Sequence, residues 1–215
     1  MNTIIERFEK IKSNIKLLNP LKPVNIIAVS KTFSLAHIQP LIDYGHIHFG
    51  ENKVQEASSK WLATKKKLPN LRLHMVGKLQ SNKAKNAIET FDYIHSLDNQ
   101  KLADILSKNE KNLNKNLNYF IQVNIGNEIQ KSGINYNDFN DFYNLCKTND
   151  LNVIGTMCIP PDDNKSDLYF SKLKKLNDDN NLNEISMGMS NDYLNAVEQQ
   201  STFLRIGSKI FGQRG

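Results

Sequence analysis

The stretch Asn25-Ile26-Ile27-Ala28-Val29-Ser30-Lys31 reads as a strand with a charged end. Its apolar run shows no polar alternation, which marks a strand buried on both faces, and such strands belong to parallel sheets covered by helices. The lysine follows at once, so its amine is carried at the C-terminal end of that strand. Upstream, Ile4, Phe8, Ile11, Ile15 and Leu18 recur at helical spacing. Thr3 and Glu6 read as a capping-box pair, and Pro20 follows the helix end.

Downstream the strand–helix alternation continues to the end of the chain. Strands are expected over 46–51, 71–77, 93–97, 119–125, 153–159, 184–189 and 204–211. Helices are expected near 35–44, 54–66, 81–89, 101–109, 136–148, 167–177 and 192–199. With the first strand this makes about eight βα units after a leading helix, the number that closes a barrel. The expectation is an α/β chain: a single (β/α)8 TIM-type barrel over 1–215 with an additional N-terminal helix. A doubly wound open sheet is the alternative, because periodicity does not reveal closure. The Asn- and Lys-rich stretch 108–118 reads as a polar connection between elements.

Composition narrows the function classes. The 215 residues, 39% hydrophobic and 23% charged, suit one sizeable core. Runs such as Ile26 to Val29 are too short to span a bilayer, and residues 1–12 lack a signal peptide's apolar stretch. A cytoplasmic chain with no membrane partner is expected. The net charge of +6 permits an anionic ligand. Its one dense basic cluster, Lys65 to Lys67, sits at a helix end where cations suit the dipole, and no nucleic-acid reader motif accompanies it. Cys146 and Cys158 match no metal or redox spacing and read as ordinary thiols.

In a barrel of this kind the chemistry collects at the C-terminal ends of the strands. Lys31 follows strand one, and burial there would lower its pKa and make the amine a nucleophile for an imine; a lysine snorkelling to the rim is the plainer reading. Gly50-Glu51-Asn52 follows strand two, His74-Met75-Val76-Gly77 ends strand three, and Met157 ends strand six. The turn Ser186-Met187-Gly188-Met189-Ser190 reads as a phosphate cradle, and Gly207-Ser208 adds a second close-approach backbone segment from the next unit. Plain turn chemistry with Ser190 as a helix cap explains the first of these equally well. Arg205 lies on the same side of its strand as Gly207, and its guanidinium can only donate; a salt bridge is the alternative. His46 and His48 alternate like metal ligands but lack a third, so core or rim histidines are expected. Lys131 is a second amine near the same face.

Ala28-Val29-Ser30-Lys31-Thr32, Phe49-Gly50-Glu51-Asn52 and His74-Met75-Val76-Gly77-Lys78-Leu79-Gln80-Ser81-Asn82-Lys83 resemble the YggS/PROSC family of pyridoxal phosphate homeostasis proteins. The resemblance extends in order through Gln122-Val123-Asn124, Lys131-Ser132-Gly133, the segment from Ile185 to Ser190, and Arg205-Ile206-Gly207 with Ile210-Phe211-Gly212. It implies a barrel like the N-terminal domain of alanine racemases, with pyridoxal 5'-phosphate held as an imine on Lys31. It further implies Asn52 and His74 lining the pocket, Ser186, Gly188, Ser190, Gly207 and Ser208 at the phosphate, and Arg205 facing the pyridine nitrogen. Leu73 departs from the aromatic usual before the histidine, which bears on packing in strand three.

Two functions follow from that resemblance. The first is a protein that binds the cofactor reversibly and buffers it or delivers it to apoenzymes, without turnover, as a monomer or weak dimer. The second is an amino-acid racemase, which needs an acid or base on each face of its substrate. The chain ends at Gly215, just past strand eight, so the second domain that supplies the opposing tyrosine in alanine racemases is expected to be absent. An aldolase-type enzyme would need an acid–base pair that the sequence does not place.

Overall fold

The structure, a computed structural model, describes residues 2–213. The strands β1 (Asn25–Val29), β2 (His48–Glu51), β3 (Arg72–Met75), β4 (Tyr93–Leu97), β5 (Asn118–Gln122), β6 (Val153–Met157), β7 (Glu184–Ser186) and β8 (Phe203–Ile206) pair in chain order into a closed parallel barrel. The helices are α1 (Thr3–Leu17), α2 (Leu35–Asp43), α3 (Val54–Lys67), α4 (Ala84–Thr90), α5 (Gln100–Leu113), α6 (Phe139–Thr148), α7 (Ser166–Asp179), α8 (Tyr193–Glu198) and α9 (Ser208–Phe211). Short 3-10 turns, Ser81–Lys83 and Tyr136–Asp138, lead into α4 and α6. The open-sheet alternative is excluded by the β1–β8 ladder, which pairs Ile27 with Arg205 and Ala28 with Ile206. That seam also brings the loop after β1 beside the loop after β8.

Several boundaries differ from the sequence expectation, each for a local reason. The capping-box reading at Thr3 is corrected: Asn2 is the cap of α1, its Oδ1 accepting from Ile4 N at 2.9 Å. Asparagine caps as well as threonine, so composition alone does not choose between adjacent positions. Strand eight stops at Ile206, and 208–211 is helical, because the chain leaves the β1 ladder and closes a turn on the Gly207 carbonyl. The stretch 108–118 is mostly helix: α5 continues to Leu113, held by buried Leu106 and Glu110, and ends at Asn114 in the left-handed region (φ 48°). Polar residues on an exposed helix face look like a connection when read without the buried stripe.

The barrel interior holds an apolar cluster of Ile27, Val29, Phe120, Met157 and Phe203. Outward side chains of the strands feed the larger core beneath the helices, where Trp61, Phe49, Leu73 and Phe170 are fully buried. Leu73 therefore meets α-helical packing, not the pocket. On α1, Ile4, Phe8, Ile11 and Ile15 are buried, and the helix packs against α9, α2 and α8. Among the described residues, no helix is long and apolar enough to cross a membrane. Cys146 and Cys158 are buried thiols, both pushed up to about 12 by burial.

Candidate functional site at the barrel mouth

Lys31 sits in the turn that leaves β1, and two elements grip the backbone around it. Ser30 N donates to the Gly50 carbonyl at 2.9 Å, and Ser30 Oγ donates to Glu51 Oε1 at 2.7 Å. Lys60 Nζ on α3 donates to the Ser30 carbonyl at 3.0 Å, while Thr32 N donates to Glu56 Oε1 at 2.8 Å. Thr32 lies at φ 71°, which a β-branched residue adopts only when its surroundings impose it. The turn at Lys31 is thus held from both sides by β2 and α3.

The side chain of Lys31 lines a cavity of about 810 Å³ at the C-terminal end of the strands. Val29, Val76, Ile159 and Pro160 give it apolar walls, and Arg205, Ser190, Gly207 and Ser208 are polar or close-approach members of its lining. Its size and mixed lining suit a small organic ligand. Ser208 Oγ donates to Ser190 Oγ at 3.0 Å, so the turns after β7 and β8 meet at one point. Arg205 N donates to the Gly188 carbonyl at 3.0 Å and knits the same two turns. Gly188 has φ 89°, and a Cβ there would stand 2.5 Å from the Ala196 Cβ, so the turn needs glycine.

Arg205 is 5% exposed. Its guanidinium donates from Nη1 to Ser186 Oγ and from Nη2 to the Cys158 carbonyl, each at 2.7 Å. Burial lowers its pKa, with Cys158 and Asp192 opposing that shift.

The other expected site residues are placed differently. Ser186 is fully buried beneath Arg205, and Met157 is in the interior cluster with Val29. Met187 is fully buried in the outer core. The Asn52 Oδ1 is buried with no hydrogen-bond partner, and its backbone packs so closely on Gly77 that a Cβ there would come 2.6 Å from the Asn52 carbonyl. His74 is fully buried inside the barrel, stacked on Tyr93 with ring centroids 4.3 Å apart. Ser190 does not cap α8: Asp192 occupies that position and accepts from Met189 N at 2.6 Å. Lys131 also lines the cavity, its Nζ on the Pro160 carbonyl at 2.9 Å and on Glu128. No group of three or more His, Cys, Asp or Glu among the described residues is arranged to hold a metal. His46 instead reaches the His48 carbonyl through Nε2 at 2.8 Å.

One interior residue was not singled out from the sequence. His95, on β4, is fully buried and lies between His74 and Ser186, 2.9 Å and 2.8 Å away through its two ring nitrogens. Its signal was the Tyr93-x-His95 alternation, which places a polar ring on the inward face of a strand whose neighbours are apolar.

Residues 7–215 match the family described as alanine racemase, N-terminal domain. A pyridoxal phosphate homeostasis protein of Pasteurella multocida (strain Pm70) is 36% identical, the alignment covering 99% of this chain and 98% of the relative. The structure of PipY of Synechococcus elongatus PCC7942 superposes with a TM-score of 0.86 without PLP and 0.84 with PLP bound. It is 34% and 33% identical in the two comparisons, which each cover 97% of this chain and 100% of PipY. An alanine racemase of Clostridium difficile 630 shares the fold, with a TM-score of 0.73 at 14% identity over 57% of its length. With the family match over nearly all of its length and full-length relatives above 30% identity, this chain belongs to the alanine racemase N-terminal domain family and, within it, to the pyridoxal phosphate homeostasis proteins.

Proposed function

We propose that this chain binds pyridoxal 5'-phosphate reversibly at the barrel mouth, buffers a cytoplasmic pool of it or delivers it to apoenzymes, and turns over no substrate. The observation that carries this reading is the donor set around one cavity: the Lys31 amine, the Arg205 guanidinium and the paired hydroxyls of Ser190 and Ser208. An aldehyde, a pyridine nitrogen and a phosphate ask for those three kinds of group. When bound, the cofactor supplies an aldehyde that condenses with Lys31 Nζ to an imine with loss of water, and returning water reverses the bond.

The chain's own residues divide the remaining work. Arg205 donates toward the ring nitrogen and, carrying no acceptor, keeps a proton off it. Ser190, Gly207 and Ser208 hold the phosphate, with Met187 and Gly188 shaping the turn that presents Ser190. Met157 and Val29 form an apolar support, Ser186 and His74 act from below, and Asn52 offers an unpartnered carbonyl oxygen. Non-turnover is supported by the relatives: the protein of Pasteurella multocida, aligned over 98% of its own length, is named for pyridoxal phosphate homeostasis and not for a reaction.

Borohydride treatment of protein incubated with pyridoxal 5'-phosphate should abolish a visible absorbance and leave a reduced adduct on Lys31, read by peptide mass spectrometry. An adduct elsewhere, or retained colour in Lys31→Ala, would overturn the imine assignment. Incubation with L-alanine in deuterated water should leave the α-carbon unlabelled; appreciable label there would make the chain an enzyme.

A further inference from the structure

A continuous string of hydrogen-bonded side chains runs through the barrel from the cavity to its opposite end. Arg205 Nη1 donates to Ser186 Oγ at 2.7 Å, and Ser186 Oγ lies 2.8 Å from His95 Nδ1. His95 Nε2 lies 2.9 Å from His74 Nδ1, and His74 Nε2 lies 2.9 Å from His48 Nδ1. Ser186, His95 and His74 are fully buried. His48 is half-buried and lines a second cavity, of about 590 Å³, with Phe8, Tyr44 and His46.

The direction of the protons in this string follows from Arg205. A guanidinium only donates, so Ser186 Oγ accepts from it and has one hydrogen of its own to place. Among the described residues, the other group in contact with that hydroxyl is His95 Nδ1. If His95 donated there instead, the serine hydrogen would be buried without an acceptor, and an unsatisfied buried donor is destabilising. Ser186 therefore donates, His95 carries its hydrogen on Nε2, His74 on Nε2, and His48 receives at Nδ1. Each ring is a neutral donor on one side and acceptor on the other.

Aromatic walls hold the rings in the orientation that makes this possible. His74 stacks on Tyr93, His95 stacks on Phe120 at 4.3 Å between centroids, and Phe203 contacts His48, His74 and His95. A ring flip would exchange a nitrogen for a carbon at both ends and break two bonds at once.

We propose that Ser186 and His95 are positioning residues for Arg205, and that the string from Ser186 to His48 carries a single proton polarity set by the guanidinium. Its role is to hold Arg205 at a fixed angle beneath the pocket, the buried cation that faces the ligand, over a column of uncharged rings. The ligand's identity rests on the function proposed above; the polarity of the string does not.

Side-chain proton–nitrogen correlation spectra of histidine-labelled protein without cofactor test it directly at neutral pH. His95 and His74 should each appear as the neutral ring protonated on Nε2; a ring protonated on Nδ1, or a charged ring, overturns the assignment. In Ser186→Ala the tautomer balance should shift at His95 and at His74, one link further on, and Ser186→Thr should restore it. Unchanged His95 and His74 signals in Ser186→Ala would sink the polarity argument. In protein loaded with pyridoxal 5'-phosphate, the maximum of the visible band should move in Ser186→Ala and return in Ser186→Thr; a band that does not move would sever the link to Arg205. If no cofactor binds at all, the spectra without it still decide the string, so the two proposals fail separately.

Discussion

Glu51 is fully buried, and three donors converge on its Oε1: Ser30 Oγ at 2.7 Å, Lys60 Nζ at 2.9 Å and Trp61 Nε1 at 2.9 Å. From the sequence it reads as a mouth residue beside Asn52, but strand alternation turns it outward against α3, where it fixes the backbone next to Lys31. Lys60 contributes the positive charge of this cluster, with 9% of its side chain exposed. Removing one member of a buried pair leaves a charge in low dielectric, so Lys60→Met should lower unfolding stability by about 3 kcal/mol in urea titration. Adding Glu51→Gln should recover much of that loss, and a Lys60→Met chain as stable as the parent would show that the pair does not bear on the turn. Lys31, Arg205, Ser190 and Ser208 were legible because each sits at a strand end whose position the pattern gives. His95 was not, because nothing in a five-residue run says which polar side chain faces a partner on another strand.

The elements show the same division. β1 and β4 begin and end close to where their apolar runs do: β1 pairs with β8 from Asn25 to Ala28 and with β2 at Ala28 and Val29, and β4 pairs with β5 from Tyr93 to Leu97. β7 is only Glu184–Ser186, since beyond Ser186 the chain leaves its ladder to form the turn that carries Gly188 and Ser190. Gly155 on β6 marks a close approach the sequence does not advertise: a Cβ there would stand 1.8 Å from the Glu184 carbonyl on β7. That is a backbone clash within a paired strand, so Gly155→Ala should destabilise by more than about 3 kcal/mol and prise β6 from β7. Thermal unfolding checks it, and a midpoint equal to the parent's would mean the two strands have room to part.

At the scale of the whole molecule, the imidazoles of His74 and His95 inside the barrel and of half-buried His46 beside Phe8 of α1 make stability depend on pH. Burial lowers His46 to about 4 from its ordinary 6.5, and burial with neighbouring charge holds His74 and His95 well below 6.5. Each is neutral when folded but takes up a proton in the unfolded chain below about 6.5, so its stabilising contribution is complete above that pH and is lost as pH falls toward the folded value. Between about pH 7 and pH 5 His46 should cost about 2 kcal/mol, read as a fall in urea midpoint, and His74 and His95 act in the same direction. His46→Gln should flatten the profile by one such share; an unchanged slope would mean that His46 titrates normally. The sequence by itself determined the helix–strand order, the parallel sheet and the strand-end positions of Lys31 and Arg205, because local periodicity and apolar runs act over a few residues. Closure at the β1–β8 seam, the inward string from Arg205 to His48 and the outward Glu51 cluster were decided by tertiary structure. Each depends on which strands become neighbours, and Ile27 meets Arg205 only across the whole length of the chain.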